Sequence, residues 1–535
     1  MRLTFLGHAG FLLETPRATI ALDPWLSSHG AFDSSWFQLP QNHHLAEWVR
    51  AKLSDPSKER FVYVSHEHRD HYDPVFLASL PTHEITAIIP FFKRAAFRNE
   101  VSDFGWGRLV LCKDDAEIPF ADGVIRLFVS DSTLNRDSAI LVRSTTGSFL
   151  DLNDCKIHDR LEELVKREGP PTAFSAQFSG AIWHPPRYDY DERTYSIVAK
   201  KKMFSKFEAV ARAIQTLSPR FYIAAAGPAC FLDPDLLHEN FRQPTIFPRA
   251  PEFFRFLARR LGNVATRLVE PMPGDTIDLE TGAIAEVGER LTDENYESYV
   301  RAYSERMMPV LATRQRNISQ LEARKVVDRL EVVLQEKLDR LALRERITMP
   351  LYAMVEEVPD AILRVDFPAG RIDRVDSIPE DNRHVFRARA GDLLPLVDRK
   401  MTWDEFLLSL RFTLSRRPDV YDPVLHGFLA VEAEDLPAFC NHILEAESRQ
   451  ERMVVQIGTR RFLVNRYCPH QGADLVHAWM EKGRYLVCPR HRWQFDLENG
   501  GKCTFNDCSI RAVELPGAEA PAERIEAVEE TEITA

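Results

Sequence analysis

Two short segments near the C-terminus, Tyr467-Cys468-Pro469-His470 and Cys488-Pro489-Arg490-His491, constrain the fold of this chain more than any other stretch. Each segment carries one Cys and one His at close spacing. Together they supply an interleaved set of two thiols and two imidazoles, namely Cys468, His470, Cys488 and His491. Because metals bind such side chains only when they converge, the two segments are predicted to be neighbouring loops of one small domain.

Two kinds of metal site use two Cys and two His. In a Rieske 2Fe-2S cluster, two thiolates hold one iron and two neutral imidazoles hold the other, which raises the reduction potential. A structural zinc also accepts this ligand set, but zinc fingers place the two Cys together and the two His together. Because each Cys here is followed by its own His, the order favours the 2Fe-2S cluster and indicates transfer of single electrons.

The residues around these ligands predict β structure. Met453–Val464 has the pattern of two strands around a tight turn, and Arg484–Val487 is a predicted strand that enters the second ligand segment. With Gln471-Gly472 and Trp493–Asp496, the region resembles the Rieske domain family. The resemblance implies an all-β domain at about residues 436–515.

A second cluster of potential ligands follows a predicted strand near the N-terminus. Glu59–Ser65 has the apolar pattern of a buried strand and leads directly into His66-Glu67-His68-Arg69-Asp70-His71. The loop can direct His66 and His68 to one side, while Asp70 and His71 turn toward a neighbouring position. A solvated polar loop is the alternative, but four potential ligands in six residues indicate a metal site.

The pattern His-x-His-x-Asp-His resembles the metallo-β-lactamase superfamily. Arg2–Leu13 and Ala18–Trp25 are similar to the opening hairpin of that superfamily, and they bring His8 and Asp23 to the site edge. Ser148–Asp154 is similar to the strand that presents its bridging carboxylate. The resemblance implies an αββα sandwich whose candidate catalytic and metal-binding residues are His66, His68, Asp70, His71 and Asp154.

One departure from the superfamily pattern bears on the metal. Binuclear hydrolases usually supply a third His before the bridging Asp, but no His lies between His83 and His158. The corresponding stretch, Val129–Asp137, offers carboxylates and hydroxyls. A mixed imidazole and carboxylate set with open positions suits a mononuclear non-haem Fe(II), with Zn or Mn as alternatives. Spacing alone does not decide which three of the five candidates hold it.

The order of further segments resembles the CMP-N-acetylneuraminate hydroxylase family, oxygenases that convert an N-acetyl to an N-glycolyl group on a sugar nucleotide. The similar segments are Leu22–Leu26, Val64–His71, Gln177–Ala181, Leu217–Tyr222, Pro273–Leu279, Trp403–Phe406 and Arg417–Tyr421. In that family the Rieske domain comes first, whereas here it comes last. Such a permutation preserves contact between the domains if their termini lie close together.

The resemblance implies a Rieske-type oxygenase. The cluster would pass electrons to the N-terminal iron, which would use O₂ to hydroxylate a small polar substrate, by resemblance a CMP-linked N-acetylated sugar. Two alternatives remain: a Zn- or Mn-dependent hydrolase whose cluster senses redox state, and a non-catalytic electron carrier. No Gly-x-Gly-x-x-Gly or Walker motif occurs, so electrons are expected from a separate ferredoxin or small cytochrome with its reductase.

Composition narrows the partners. With 68 basic and 80 acidic side chains, the formal charge of −12 argues against a nucleic-acid partner. An anionic substrate would need a local basic cluster, for which a solvated helix face is the competing interpretation; the candidates are Arg187, Lys200, Lys201, Lys202 and Arg220. The eight Cys show no framework of a secreted domain, so a cytoplasmic protein is expected. Neither a signal peptide nor a membrane span is predicted.

The periodicity of the chain predicts an α/β protein of several units. We expect the sandwich at 1–288, a helical connector at 289–345, a small α+β unit at 346–432, the Rieske domain at 436–515 and a disordered acidic tail at 516–535. The connector is predicted to contain one helix, Leu311–Leu343, which would serve packing or a homo-oligomer surface. Its apolar stripe comprises Val326, Leu330, Val333, Leu334 and Leu338.

Overall fold

The computed structural model describes residues 1–132, 136–262, 265–288, 290–314, 316, 318–504, 506–516 and 524–527. Most of the predicted acidic tail lies outside these residues, as do positions 133–135 of the stretch that lacks a third His. The two sheets of the sandwich contain strands β1 Arg2–Gly7, β2 Gly10–Glu14, β3 Ala18–Leu22, β4 Glu59–Tyr63, β5 Thr86–Pro90, β6 Arg108–Cys112, β7 Glu117–Phe120, β8 Gly123–Asp131, β9 Arg136–Ser144, β10 Gly147–Asp151, β11 Ala173–Gln177, β12 Phe221–Ala225, β13 Arg267–Val269, β14 Thr276–Asp278 and β15 Ile284–Ala285.

These strands form two sheets packed face to face. Their orders are β15-β14-β1-β2-β3-β4-β5-β6 and β13-β12-β11-β10-β9-β8-β7. Apolar side chains from both sheets fill the space between them, and the rings of Phe11 and Phe149 meet there with centroids 4.9 Å apart. The burial of both faces explains why strands such as β3 and β11 are apolar throughout rather than alternating.

Helices cover the outer face of each sheet. The first sheet is covered by α1 Ala46–Leu53, α2 Pro74–Leu77 and α3 Ala96–Ser102, and the second by α4 Leu161–Glu168, α5 Glu192–Leu217 and α6 Ala250–Leu261. The resulting layers confirm the predicted αββα sandwich. The carboxyl ends of the parallel strands β3 and β4 in one sheet, and of β10 and β11 in the other, lie at one edge of the sandwich.

Two helices follow the sandwich, α7 Tyr296–Arg314 and α8 Gln320–Arg340. The predicted helix start at Leu311 was wrong, because Leu311 belongs to α7 and α8 begins after Ser319. Ser319 and Glu322 close a capping box there, which gives α8 its own N-terminus. Four stripe residues are buried within this chain, Val326, Leu330, Leu334 and Leu338.

The stripe of α8 packs against a small α+β unit. That unit contains β16 Leu351–Val355, β17 Ile362–Asp366, β18 Arg371–Val375, β19 Arg383–Ala388 and β20 Thr413–Arg417, with helices α9 Ala390–Val397, α10 Trp403–Leu408 and α11 Pro423–Ala430. Its sheet has the order β18-β17-β16-β19-β20. Thr402 caps α10 in a capping box with Glu405. Asp404 of α10 forms a hydrogen bond with His68, so α10 lies against the ligand edge of the sandwich.

The C-terminal domain follows α12 Leu436–Ser448 and consists of two small antiparallel sheets. Its strands are β21 Arg452–Ile457, β22 Arg460–Asn465, β23 Trp479–Glu481, β24 Tyr485–Val487, β25 Gln494–Asp496, β26 Lys502–Cys503, β27 Val513–Leu515 and β28 Arg524–Ala527, in the orders β27-β22-β21-β28 and β23-β24-β25-β26. The two ligand segments are the loops between β22 and β23 and between β24 and β25. In the described part of the chain, no helix has both the length and the hydropathy needed to cross a membrane.

Candidate metal centres

The edge where the parallel strands end collects ligand side chains from both sheets. His66 follows β4, Asp154 follows β10, and His71 lies further along the loop after β4. One potential ligand atom from each of these residues lies within 4.8 Å of the other two. His71 Nε2 is 3.7 Å from Asp154 Oδ1, and both atoms are buried without a hydrogen-bond partner. Because buried polar atoms are normally satisfied, this pair fits a bound cation.

A second group of ligand atoms shares His71 with the first. It consists of His8, Asp70 and His71, whose ligand atoms also lie within 4.8 Å of one another. His8 Nε2 donates to Asp70 Oδ2 at 3.0 Å, while Asp70 Oδ1 has no partner. The sequence predicts His8 only at the site edge, whereas the fold brings it into a group of potential ligands. His71 can therefore serve one metal in either group or lie between two.

Asp23 sets the orientation of His71. Its Oδ2 accepts a hydrogen bond from His71 Nδ1 at 2.7 Å, and its carboxylate also accepts from the backbone and hydroxyl of Ser65. Nε2 of His71 is thereby left to face the ligand group. Burial disfavours the charged imidazole, but the nearby carboxylates of Asp70 and Asp23 raise the pKa of His71 well above its ordinary value. The site is therefore strongly cation-attracting.

His68 has other partners. Its Nδ1 lies 2.8 Å from His66 Nε2, and its Nε2 donates to Asp404 Oδ2 at 2.7 Å. Burial opposes the charge on the ring, but the hydrogen bond to Asp404 raises the pKa of His68 to about 9. Both ring nitrogens are thus engaged in this arrangement, and His68 belongs to neither ligand group. Its assignment as a ligand stays a prediction.

Asp137 is a candidate that the sequence pointed to only indirectly. It stands at the start of β9, and its Oδ1 is 3.4 Å from His66 Nδ1. Burial and the neighbouring Asp154 raise the pKa of Asp137 well above its ordinary value. Asp137 ends the stretch in which a third His was expected and absent. A carboxylate therefore lies beside the position where the superfamily usually has an imidazole.

The four candidate ligands of the C-terminal domain lie close together in the fold. The thiols of Cys468 and Cys488 contact each other, and the rings of His470 and His491 lie with centroids 4.6 Å apart. Both ring nitrogens of His491 and Nδ1 of His470 are buried without a partner. Trp493 stacks on His470 at 4.3 Å and holds the ring in place. Two adjacent thiols beside two unsatisfied imidazoles fit a 2Fe-2S cluster of the Rieske type.

The two loops that carry the candidate cluster ligands contact the N-terminal sandwich of the same chain. Gln471, next to His470, accepts a hydrogen bond from Ser132 of the sandwich at 3.2 Å. Arg490, next to His491, forms a two-pronged ion pair with the buried Asp159 at 2.9 and 3.1 Å. Both ligand loops therefore pack directly against the sandwich, on the side where Asp154 lies.

A narrow cleft lies where the second cluster loop meets the sandwich. It is lined by Asn153, Asp154, Cys155, Lys156, His158, Ala176, Gln177, Lys206, Ala209, Val210 and Arg492. Three of these side chains are basic, Lys156, Lys206 and Arg492, and none of them is among the basic candidates predicted from the sequence. Arg492 directly follows a ligand, which is the one signal in the sequence that could have indicated it.

The five basic residues predicted from the sequence as candidates for binding an anionic substrate lie at different places in the fold. Lys202 is partly buried one helical turn before Lys206, and burial together with Arg492 and Arg416 lowers the pKa of Lys202 to about 7. Lys200 and Lys201 are exposed on the same helix. Arg187 and Arg220 bind backbone carbonyl groups elsewhere: Arg187 donates to Phe412, and Arg220 donates to Glu280 and Thr281. None of the five candidates lines the cleft, although Lys202 has the cleft-lining Arg492 among its charged neighbours.

Comparison with protein families identifies two of the domains. A Rieske [2Fe-2S] domain matches residues 430–513, and a β-lactamase superfamily domain matches residues 2–103. The chain therefore combines a metallo-β-lactamase-like N-terminal domain with a C-terminal Rieske domain.

Mycobacterial relatives are similar to this chain over nearly the full length of both proteins. A Rieske 2Fe-2S iron-sulfur protein of Mycobacterium tuberculosis (strain ATCC 25618 / H37Rv) is 26% identical over 532 residues, covering 96% of this chain and 99% of the relative. The corresponding protein of Mycolicibacterium smegmatis is 26% identical over 551 residues, covering 96% of this chain and 100% of the relative.

Two solved structures are similar to part of this chain. The diiron β-hydroxylase CmlA from Streptomyces venezuelae is 15% identical with a TM-score of 0.35, covering 52% of this chain and 54% of that one. An isothiocyanate hydrolase from Delia radicum gut bacteria is 14% identical with a TM-score of 0.35, covering 52% of this chain and 98% of that one.

Proposed function

We propose that the protein is an oxygen-dependent oxidoreductase in which the Rieske cluster supplies electrons to the metal site of its own N-terminal domain. One observation carries the proposal: both cluster loops pack on the sandwich beside Asp154, through Gln471 with Ser132 and Arg490 with Asp159. Electron transfer between separate centres needs proximity. A cluster used only for redox sensing would not need this placement.

The potential ligand side chains at the two sites suit these two roles, electron delivery and O₂ activation. A Rieske cluster held by Cys468, His470, Cys488 and His491 would supply one electron at a time, and iron held by imidazole and carboxylate side chains would supply the chemistry of O₂ activation. Asp23 orients His71 for that metal, and Asp404 holds His68 in its charged form. His66, His71 and Asp154 would form the ligand set nearest the Rieske domain, because Asp154 lines the cleft that Arg492 also lines.

The substrate is proposed to be a small polar molecule that is hydroxylated at this edge. The resemblance to CMP-N-acetylneuraminate hydroxylases suggests a CMP-linked N-acetylated sugar, with a mononuclear Fe(II) as the metal. A separate ferredoxin or small cytochrome would reduce the cluster, and a cytoplasmic setting would suit the reduced thiols.

The decisive experiment is a single turnover with defined electrons. Protein loaded with iron at both sites is reduced without oxygen and then exposed to O₂ with candidate sugar nucleotides, and the products are analysed by mass for one added oxygen atom. Cys468→Ser should abolish product formation because the cluster is lost. The matched control, Cys503→Ser, replaces a buried Cys of the same domain that is not a ligand and should retain activity. Full activity of Cys468→Ser would refute electron delivery by the cluster.

One observation favours a second candidate, a metal-dependent hydrolase. The groups His8/Asp70/His71 and His66/His71/Asp154 share an imidazole, so two cations could lie side by side as in two-metal hydrolases. Product formation without O₂ or reductant, by protein that contains zinc or manganese at the N-terminal site, would select the hydrolase. Substrate-dependent O₂ consumption that requires the cluster would select the oxygenase.

A further inference from the structure

We infer that Tyr421 and His426 of the small α+β unit form part of an electron path between the two metal sites. The inference rests on the proposed function and deepens it, because it assigns residues through which the electrons pass. In each transfer one electron leaves the cluster, which a one-electron carrier has reduced, and it reduces one ferric iron at the N-terminal site to ferrous iron. The electron tunnels through the side chains of the path, so none of them changes its oxidation state.

The path begins at the ring of the predicted cluster ligand His470. Trp493 stacks on this ring with centroids 4.3 Å apart and an interplanar angle of 11°. The ring of Tyr421 meets Trp493 edge to face at 6.1 Å, and Tyr421 packs against the core of the Rieske domain. Aromatic rings at such separations are packed against each other. A side chain of the α+β unit thus reaches to within one ring of a predicted cluster ligand.

His426 continues the path inside the α+β unit. Its ring centroid is 5.4 Å from that of Tyr421, and Trp183 stacks on the same ring at 5.4 Å. The carboxylate of Asp404 is among the charged neighbours of His426. His426 is also among the titratable neighbours of His470. The imidazole of His426 therefore lies between the cluster ligands and the helix that contacts the N-terminal site.

Asp404 leads the path to the N-terminal site. Its Oδ2 accepts a hydrogen bond from His68 Nε2 at 2.7 Å, and His68 Nδ1 lies 2.8 Å from Nε2 of the candidate ligand His66. Ring contacts and hydrogen-bond distances make up each step except that from His426 to Asp404, which are close electrostatic neighbours. A contiguous network of this kind is the physical requirement for coupling between two sites.

The fold holds the middle of the path in place. Asp422 caps α11 by accepting from two backbone N–H groups of its first turn. This cap fixes Tyr421 just before the helix and His426 within the first turn. Helices α10 and α11 pack in one hydrophobic core, so Asp404 and His426 are held by the same set of contacts.

A direct route across the interface between the Rieske domain and the sandwich is the alternative. It would lead from His491 and Arg492 to Asp154, which lines the same cleft as Arg492. That cleft leaves free space for about one water molecule, so the packing of side chains is interrupted there. Because electron tunnelling decays faster through a gap than through packed atoms, the path through the α+β unit is favoured.

The test follows electrons in the full-length protein and needs neither substrate nor O₂. The cluster is intact, the N-terminal site is loaded with ferric iron, and a photochemical reductant is used in substoichiometric amount without oxygen. Loss of the reduced-cluster spectrum after the flash gives the transfer rate. Protein with zinc at the N-terminal site is the control, and its cluster should stay reduced because zinc has no redox chemistry.

Variants assign the transfer to the path. Tyr421→Leu and His426→Leu should each slow it about tenfold or more, the loss expected when groups just outside a metal's ligands are removed. Tyr421→Phe keeps the ring and should transfer at the wild-type rate, as should His477→Leu, which changes an exposed His of the Rieske domain that is not on the path. The spectrum and reduction potential of the cluster are measured in each variant, since a structural defect would change them and loss of the path would not.

Wild-type rates in both Tyr421→Leu and His426→Leu would overturn the inference, as would equal slowing by Tyr421→Phe and Tyr421→Leu. In either case electron delivery between the sites, and with it the proposed function, would stand. If the wild type with ferric iron keeps its cluster reduced, as the zinc control does, electron delivery and the inference both fail. If transfer depends on the path but no candidate substrate is hydroxylated, the path stands and the oxygenase proposal fails.

Discussion

His71 shows how one carboxylate can prepare a metal ligand. Asp23 accepts from Nδ1 of His71 and from Ser65, so the ring has a fixed orientation before any metal arrives. Outer carboxylates of this kind increase the basicity of the ligating imidazole and are nearly as important as the ligands themselves.

Asp23→Asn should therefore weaken metal binding at the N-terminal site. Loss of the carboxylate removes the charge that orients His71, and we expect affinity to fall about 10- to 100-fold. Metal retention is measured by titration with a chelator, with the Rieske spectrum as an internal check. Asp55→Asn, an exposed change before β4, is the control. Equal retention by Asp23→Asn and the control would show that Asp23 has no such role.

A second prediction concerns His68. Asp404 holds the pKa of His68 at about 9 in the folded protein, against an ordinary value of 6.5. This pair therefore stabilises the fold fully below pH 6.5, and the stabilisation is lost as the pH rises to about 9. Asp404→Asn should reduce stability at pH 6 and have a smaller effect at pH 9.5. Denaturant midpoints at the two pH values measure this, and an effect independent of pH would contradict the assignment.

At the scale of elements, α8 holds the α+β unit together through a buried lysine. Lys337 is fully buried, donates to the carbonyl of Val431 at 2.7 Å and lies 4.2 Å from the ring centroid of Trp403. It thus lies at the C-terminal end of α11 and packs on the first residue of α10, the helix that presents Asp404. A cation suits the end of a helix, where carbonyls lack partners.

Burial lowers the pKa of Lys337 to about 7 from 10.5, so the unfolded chain binds more protons between these values. The stability of the wild type should then rise with pH from about 7 to 10.5, by at most about 1.4 kcal/mol per pH unit. Lys337→Met lacks this dependence, so its stability relative to the wild type should fall across that range. Lys325→Met, at an exposed position of the same helix, is the control, and its stability should keep the pH dependence of the wild type. Parallel pH profiles for the wild type and Lys337→Met would contradict the prediction.

At the scale of the whole molecule, the Rieske domain packs against the sandwich of its own chain. Besides the pair of Arg490 and Asp159, Arg212 of α5 lies over the ring of Trp479 at 4.7 Å. Contacts at both ends of the domain hold the cluster loops on the ligand edge. Under the proposed function, electrons would therefore pass between the two sites of one chain.

A mixing experiment tests this route. Cys468→Ser lacks the cluster, and His71→Ala lacks a ligand shared by both N-terminal groups, so each variant alone should be inactive. If electrons pass within one chain, a mixture of the two refolded or co-expressed together should also remain inactive. Recovery of a substantial fraction of wild-type turnover would show transfer between subunits. A co-expressed wild-type chain serves as the positive control.

The αββα sandwich and the C-terminal β domain were both predictable, because each depends on local patterns. The apolar run of β4 and the ligands after it are adjacent in sequence, and a strand followed by a loop has few ways to present them. The same holds for the two cluster loops. The division between α7 and α8 was missed because helix-forming residues lie on both sides of Ser319, and only the capping box of Ser319 with Glu322 marks the start of a separate helix.

The sequence by itself predicts the types of centre: one set of thiols and imidazoles in two short segments of one small domain, and one set of imidazoles and carboxylates that follow two strands of the sandwich. Only the tertiary structure decided that His8 joins the second set, that Asp404 binds His68 across 336 positions, and that Arg492 faces α5. Ligand spacing is imposed by the local backbone, so it is visible in a single chain. Contacts between domains are the sum of many weak packing interactions, and no short segment carries their signature.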